Sequence, residues 1–204
     1  MYTILLNLMS SVPYWYNPLI HNMGNIGLSG NIHAATSPLF TRFIDFKAYK
    51  GVDVRKEIYK DLDGKILDIC CGTGFSTKPG STAIDTSKQM LRFANIYNPG
   101  SNYIFGNAET FGEYKTYDTV TCMFAFHEIP TDGQEKIIRN AMRLAKKNII
   151  IADITTEYNP NKVMLSGEPY IKNYLKNIDF TMDKYNFKKI IKYNNRVNIW
   201  EFKM

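Results

Sequence analysis

From Lys65 onward, short apolar runs alternate with amphipathic stretches along the chain. The apolar runs predict five strands, at Ile66–Ile69, Thr82–Ile84, Tyr103–Phe105, Tyr117–Phe126 and Asn148–Ile154. Helical spacing of apolar residues predicts helices at Ser87–Ile96, with Thr86 as its cap, and at Gln134–Lys146. The fifth strand is apolar nearly throughout, which is typical of a strand covered on both faces.

The end of the chain has a different pattern. Two alternating runs lie on either side of Asn194-Asn195 and predict a β-hairpin. Alternating strands and helices followed by a hairpin predict an α/β fold. We expect a Rossmann-like, mostly parallel seven-stranded sheet with a C-terminal antiparallel hairpin.

The region before Lys65 has less regular periodicity. Residues 13–34 are rich in Tyr, Trp, Asn and Gly and indicate an irregular or broken-helix segment. A helix should begin at Pro38 with Ser37 as its cap, and a short helix should cover Val52–Tyr59. We therefore expect a helical or irregular cap over residues 1–60 and the sheet domain over 61–204. The opening run MYTILLNLM favours a packed terminal segment over a fragment of a signal peptide.

Composition and charge restrict the class of protein. The chain has 204 residues, 45% hydrophobic and 22% charged, as in ordinary globular proteins. Three cysteines, two of them adjacent, do not form a disulfide framework and favour a reducing, cytoplasmic compartment. The net charge of +6 is concentrated after Glu135, where 14 Lys/Arg face 6 Asp/Glu. This basic third could meet phosphates, but solvated helix and strand faces are the favoured interpretation.

A glycine turn follows the first predicted strand. Gly72 and Gly74 allow close backbone approach to a ligand, and Asp85 ends the second strand, where a carboxylate can accept hydrogen bonds from ribose hydroxyls. These features fit a dinucleotide or S-adenosylmethionine. Thr77 stands where a dinucleotide site needs its third glycine, and Pro79 disfavours the helix that would face a pyrophosphate. The turn therefore favours S-adenosylmethionine, which has no phosphate.

Four motifs in order carry a family resemblance. Asp68-x-Cys70-Cys71-Gly72-Thr73-Gly74 resembles the first motif of small-molecule class I S-adenosylmethionine-dependent methyltransferases. The later motifs are AIDTSKQML, GNAETF and YDTVTCMFAFHEIP, and the resemblance covers roughly residues 60–155. It implies a methyltransferase domain in 61–204 that binds S-adenosylmethionine. The cofactor-binding residues implied or expected are Asp68, Cys70, Gly72, Gly74, Asp85, Thr86, Met90, Asn107, Ala108, Glu109, Phe124 and Tyr16.

The sequence departs from the family pattern at two places. Cys70 replaces the first glycine of the motif and should narrow the floor of the pocket. Only 12 residues, Cys70 to Ser81, join the first two strands, so the first crossover helix should be nearly absent. We expect the aromatic segment from Tyr14 to Phe46 to cover the resulting gap beside the cofactor.

Candidate catalytic residues follow the fourth strand, where acceptors commonly dock in this family. His127 could take a proton from the acceptor while Glu128 orients it; alternatively, His127 caps a loop and Glu128 binds solvent or a backbone amide. His21 and His33 are expected to be structural. Tyr14, Trp15 and Tyr16 either close over the sulfonium or an apolar acceptor, or pack in the core. The loop containing Tyr158, Glu168 and Tyr170 should shape the acceptor pocket. We expect no metal site.

The resemblance implies an enzyme that methylates a small organic molecule at oxygen, nitrogen or carbon. RNA methylation is a second hypothesis, but the Asn/Asp-Pro-Pro-Tyr/Phe motif used to hold a flipped base is not found after the fourth strand. A catalytically inactive binding protein with the same fold is a third. We expect a small-molecule partner, no nucleic acid and no stable membrane insertion. The oligomeric state is not determined by the sequence.

Overall fold

The computed structural model describes residues 12–17 and 19–204. The opening run, for which we expect terminal packing, lies outside the described residues. The helices are α1 (Gly27–Tyr49), α2 (Val54–Tyr59), α3 (Lys88–Tyr97), α4 (Thr131–Leu144), α5 (Lys162–Gly167) and α6 (Ile171–Lys184). The strands are β1 (Ile66–Ile69), β2 (Thr82–Asp85), β3 (Asn102–Phe105), β4 (Tyr117–Met123), β5 (Ala145–Ile154), β6 (Lys188–Lys192) and β7 (Val197–Lys203).

The strands form one seven-stranded sheet in the order β3-β2-β1-β4-β5-β7-β6. The first five strands pair in parallel, whereas β7 is antiparallel to both β5 and β6. The strand order reverses direction between β1 and β4, so ligands are expected beyond the carboxyl ends of these two strands. The predicted Rossmann-like sheet with its C-terminal hairpin is confirmed. No helix in the part of the chain that the structure describes has the length and apolar character needed to cross a membrane.

Helices cover the sheet on both faces. On one face, α4 and α6 bury an apolar layer that includes Ile137, Ile138 and Ile178. On the other face, Tyr49 of α1 and Val54 of α2 pack beside the buried residues of β5 and β7. The apolar composition of β5 follows from this double cover.

Several predicted element boundaries are wrong. Helix α4 begins at Thr131 rather than Gln134 and ends at Leu144, because the chain enters β5 at Ala145 rather than at Asn148. Helix α3 begins at Lys88, and its cap is Ser87 rather than Thr86, because the Ser87 hydroxyl accepts the backbone N–H of Met90. Strand β4 ends at Met123 rather than Phe126. Phe124 has a left-handed backbone (φ 56°), which turns the chain out of the sheet and into a short 3-10 helix that contains His127.

The predicted start of α1 is also wrong, because the helix begins at Gly27 and carries Pro38 in its interior. A proline inside a helix removes the backbone N–H that would bind the carbonyl four residues earlier. The Ser37 hydroxyl donates to that carbonyl, the one of Ala34, at 2.9 Å. The Ser37 hydroxyl thus satisfies the Ala34 carbonyl in place of the missing N–H of Pro38, which explains why a proline is tolerated inside α1.

The connection between β1 and β2 contains no helix, as the short spacing predicts. Its conformation depends on Asp68, a fully buried carboxylate at the end of β1. Asp68 accepts hydrogen bonds from the hydroxyls of Ser76 and Thr77 in the loop, both at 2.7 Å, and from Thr121 of β4 at 3.0 Å. Burial raises the pKa of Asp68 to about 6, although these hydroxyls act in the opposite direction. The loop is therefore fixed by side-chain hydrogen bonds.

The N-terminal segment and α1 lie over this loop and over α3. The Ser37 and Thr73 hydroxyls are 2.9 Å apart, and the Tyr97 hydroxyl donates to the Ala35 carbonyl at 2.8 Å. The Ser87 hydroxyl donates to the Asn25 carbonyl at 2.6 Å. We expect the aromatic segment to fill the space left by the absent crossover helix. These contacts join it to the loop between β1 and β2 and to α3.

Candidate active site

A cleft lies beyond the carboxyl ends of β1 and β2, where the turn after β1 meets Asp85. It consists of two adjoining hollows of about 190 and 70 Å³, and Cys70, Asp85 and Glu128 line both. Ligand pockets commonly measure about 300–1,000 Å³. Two residues of the N-terminal segment form part of the walls: Tyr16 lines the smaller hollow, and Asn25 lines both.

Asp85 is the charged group at the centre of the cleft. Its two carboxylate oxygens accept the backbone N–H groups of Gly72 at 2.9 Å and of Ser87 at 2.8 Å. A carboxylate has about four lone-pair sites, so each oxygen can accept a further hydrogen bond. Burial raises the pKa of Asp85 to about 6 against the effect of the two N–H groups. The residue is mostly ionised at neutral pH and can hold two hydroxyl donors.

The two glycines of the turn have different roles. A Cβ atom on Gly72 would meet no atom within 4 Å, so this position opens to the cleft. A Cβ atom on Gly74 would lie 2.6 Å from the Tyr103 hydroxyl and 3.2 Å from the Ala94 side chain. Gly72 therefore leaves room for a ligand, whereas Gly74 is required by packing against α3 and β3.

Cys70 occupies the position of the first motif glycine and keeps a left-handed backbone (φ 57°). This conformation is uncommon for a residue with a side chain. The open space at Gly72, the paired N–H groups on Asp85 and the backbone turn at Cys70 together fit an adenosyl cofactor. Cys70 lines both hollows.

The N-terminal aromatic residues are placed by hydrogen bonds. The Trp15 indole N–H donates to the Glu109 carboxylate at 2.7 Å, and the Tyr14 hydroxyl donates to Asp132 at 2.6 Å. Trp15 and Tyr16 line the smaller hollow, whereas Tyr14 is exposed. Glu109, proposed from the resemblance as an adenine contact, thus also anchors the segment that covers the cleft.

The other predicted cofactor residues fall into two groups. Those that line the cleft are Tyr16, Cys70, Gly72, Asp85, Thr86, Met90, Ala108 and Phe124. Those that do not line it are Asp68, Gly74, Asn107 and Glu109. The Asn107 side chain accepts the Glu109 N–H at 2.9 Å and so shapes the turn after β3.

A second, larger cavity adjoins the cleft. It measures about 480 Å³, shares Phe124, Arg55 and Glu128 with the cleft, and continues into a space of about 650 Å³ below α1. Its walls are largely apolar, with contributions from Phe43 and Tyr158. A molecule in this cavity would face the cofactor cleft at Glu128.

His127 lies at the floor of the larger cavity. Asp153, at the end of β5, accepts the His127 backbone N–H at 3.0 Å and lies 2.7 Å from its Nδ1 atom. Burial lowers the pKa of His127, but the charge and hydrogen bond of Asp153 outweigh it and raise the value to about 9. His127 is therefore a cation at neutral pH, and Asp153 fixes its ring.

Glu128 pairs with a residue from the N-terminal segment. Its Oε1 atom lies 2.9 Å from Nε2 of His21 and 3.8 Å from Nε2 of His127. Burial raises the pKa of Glu128, but the His21 charge outweighs this and lowers the pKa below its ordinary value. The pKa of His21 is correspondingly raised to about 10, because the carboxylates of Glu128 and Glu168 outweigh burial. His21 and Glu128 thus form an ion pair between the N-terminal segment and the 3-10 helix that follows β4.

Sequence reasoning missed three contributors to the site. Asp153 carries a readable signal, since it is an acidic residue at the end of an apolar strand whose carboxyl end faces the site. Arg55 and Asn25 carry none, because their positions depend on how α2 and the N-terminal segment fold over the sheet. Arg55 stacks 4.3 Å from the Phe124 ring centre and pairs with Asp45. Within the described residues, no group of three or more His, Cys, Asp or Glu side chains could hold a metal ion.

Comparison with known proteins finds methyltransferases that are similar to part of this chain. Residues 66–148 match the model of the methyltransferase-domain family. An uncharacterized methyltransferase from Synechocystis sp. is 35% identical over 96 residues, which are 43% of this chain and 45% of that protein. The match thus spans less than half the length of the curated relative.

Solved structures agree on the fold. An S-adenosylmethionine-dependent methyltransferase from Aquifex aeolicus gives a TM-score of 0.60 at 13% identity, over 83% of this chain and 97% of that one. A plantazolicin methyltransferase in complex with S-adenosylhomocysteine gives 0.53 at 18% identity, over 86% and 88%. Residues 66–148 therefore resemble the methyltransferase-domain family, and the chain has the fold of class I S-adenosylmethionine-dependent methyltransferases, as the sequence motifs predict.

The two glycines allow a matched test of their roles. Gly74→Ala should lower the free energy of unfolding by about 2–3 kcal/mol, because the new methyl group collides with Tyr103 and the backbone is left-handed (φ 83°). Gly72→Ala should cost only about 1 kcal/mol, the penalty of its left-handed backbone. Urea denaturation measures both changes. Equal losses in the two variants would contradict these assignments.

The ion pairs predict a pH dependence of stability. The pKa of His127 is about 9 in the folded chain and near the ordinary 6.5 when unfolded. Its contribution is therefore fully present below about pH 6.5 and is lost as pH rises through about 9. The raised pKa of His21 acts in the same direction. The free energy of unfolding should fall from about pH 7 to about pH 9.5.

The matched variant is Asp153→Asn, which removes the main attraction on His127. Urea titrations at both pH values should give a shallower decline for this variant than for the wild type. An unchanged decline would mean that another group titrates in this range.

Proposed function

We propose that this chain is an S-adenosylmethionine-dependent methyltransferase that acts on a small organic molecule. The observation that carries the proposal is the junction of two spaces at Glu128: the cleft around Asp85 and the apolar cavity beside it. Methyl transfer requires a donor and an acceptor held in line, and two adjoining sites on one rigid sheet supply this arrangement.

The cleft residues fit the parts of the cofactor. Asp85 would accept the ribose hydroxyls, while the open backbone at Gly72 would lie against the amino-acid portion. Thr86, Met90 and Ala108 would surround the adenine, as the family motifs imply. The bound cofactor supplies a methyl group already activated by a sulfonium, so the chain mainly has to bind, orient and exclude water.

The histidine and glutamate after β4 take different parts in this proposal. His127 is charged at neutral pH, so it would donate a hydrogen bond or stabilise negative charge rather than remove a proton. Glu128 faces both spaces and would contact the acceptor at the point of transfer. A base is needed only when the acceptor must lose a proton early in the reaction.

A small acceptor is favoured over RNA by the size and character of the larger cavity. Its volume of about 480 Å³ lies within the usual range for small ligands. Several basic side chains of the C-terminal third are engaged in surface ion pairs, including Lys184 with Glu135 and Lys189 with Asp179. These contacts support the interpretation of that charge as a solvated surface.

Binding of S-adenosylhomocysteine, measured by isothermal titration, tests the proposal. Asp85→Asn should weaken binding at least about tenfold, since charge-assisted hydrogen bonds contribute about 1.5–3 kcal/mol. Asp63→Asn, which changes an exposed carboxylate, is the matched control and should bind as the wild type does. Conversion of S-adenosylmethionine to S-adenosylhomocysteine in the presence of a metabolite extract tests catalysis.

Tight binding of NAD without binding of S-adenosylhomocysteine would refute the cofactor assignment. Cofactor binding without turnover over broad metabolite pools would favour the inactive binding protein instead.

A further inference from the structure

The larger cavity contains a buried carboxylate with an incomplete set of partners. The side chain of Glu168 is 8% exposed, and its Oε2 atom accepts no hydrogen bond from any described residue. Buried carboxylate oxygens are normally hydrogen-bonded, because burial without a partner is costly. The residue lines the cavity, so a bound molecule can supply the missing donor.

The two histidines nearest Glu168 form their shorter contacts with other carboxylates. His127 forms its close pair with Asp153 at 2.7 Å and lies 3.6 Å from Glu168 Oε2, beyond hydrogen-bond distance. His21 forms its close pair with Glu128 at 2.9 Å and approaches the other oxygen of Glu168 at 3.3 Å. Three carboxylates therefore share two imidazoles, and Glu168 has the longer contacts: its Oε1 atom pairs with His21 at 3.3 Å, and its Oε2 atom accepts no hydrogen bond from the described residues.

The backbone holds Glu168 in this position. Gly167 packs against His21, where an added Cβ atom would lie 2.9 Å from the His21 Cα atom. The Asn22 side chain donates to the Ser166 hydroxyl at 2.9 Å, which joins the N-terminal segment to α5. The carboxylate is thus fixed at the end of α5 and cannot turn freely to solvent.

From this arrangement we infer that Glu168 binds the amino group of an acceptor whose body is apolar. An amine supplies an N–H donor to the orphaned oxygen, while apolar walls such as Phe43 and Tyr158 hold the rest of the molecule. Lys47, Arg55 and Arg196 also line the cavity and offer no acceptor to an amine. His21 and His127 lie beside Glu168, and their positive charges favour the neutral amine over its ammonium form at this site.

This inference rests on the proposed function and makes nitrogen the methylated atom. The lone pair of the neutral amine forms the new N–C bond, and the C–S bond breaks with its electron pair passing to sulfur. The products are an N-methylammonium group and S-adenosylhomocysteine. The ammonium proton then passes to Glu168 or to water.

Titration of matched probes against the protein saturated with S-adenosylhomocysteine tests the inference. Phenethylamine, tryptamine and hexylamine are each compared with the alcohol that replaces the amino group by a hydroxyl. In the wild type, at least one amine should bind about tenfold or more tightly than its alcohol. Glu168→Gln should remove this preference by weakening the amine while leaving the alcohol unchanged.

Glu157→Gln is the matched control, because Glu157 is an exposed carboxylate on the loop before α5. It should retain the wild-type preference, and thermal unfolding should show that both variants are folded. The inference is overturned if no amine is preferred over its alcohol in the wild type, or if the preference persists in Glu168→Gln. Loss of S-adenosylhomocysteine binding in the wild type would be a failure of the proposed function instead, and the saturation step detects it.

Discussion

The connection from β1 to β2 determines much of the architecture around the cleft. Parallel strands need a crossover, and here the crossover is a loop of 12 residues without a helix. A loop this short cannot cover its face of the sheet with an apolar helix of its own. Its conformation is held by Asp68, which gathers three hydroxyl donors, and its outer side is covered by the N-terminal segment and α1.

The N-terminal segment, which covers the loop in place of a helix, contacts both the cleft and the larger cavity. The segment that crosses the gap places Tyr16 and Asn25 over the cleft and then places His21 between Glu128 and Glu168. The N-terminal segment therefore contributes packing at the cleft and a charge at the larger cavity. A change in its position would affect both the cleft and the cavity.

The sheet and its motifs could be predicted from the sequence because they depend on local patterns. Period-two and apolar runs locate the strands, and the Gly72 and Asp85 motif positions follow directly from them. The start of α1 could not be predicted, since Pro38 reads as a helix beginning and the compensating Ser37 hydroxyl is visible only in three dimensions.

The charged network of the site was only partly predictable for a related reason. His127 and Glu128 follow β4 in the chain, but their partners come from distant segments. Asp153 arrives through the pairing of β4 with β5, and His21 arrives through the fold of the cap. The position of Asp153 at the end of an apolar strand is readable from the sequence, but its pairing with His127 is not. The sequence therefore suggests Glu128 as the residue that orients His127, whereas the structure places Asp153 beside Nδ1.

Hydrogen exchange with and without S-adenosylhomocysteine tests the central claim that the N-terminal segment closes the cofactor cleft in place of the missing helix. Binding should slow exchange of backbone amides in residues 13–17 and 19–26 together with those of the turn at 70–77, because ligand binding suppresses local opening of the elements that enclose it. Slower exchange at 70–77 and 85–90 alone, with the N-terminal residues unchanged, would contradict the account.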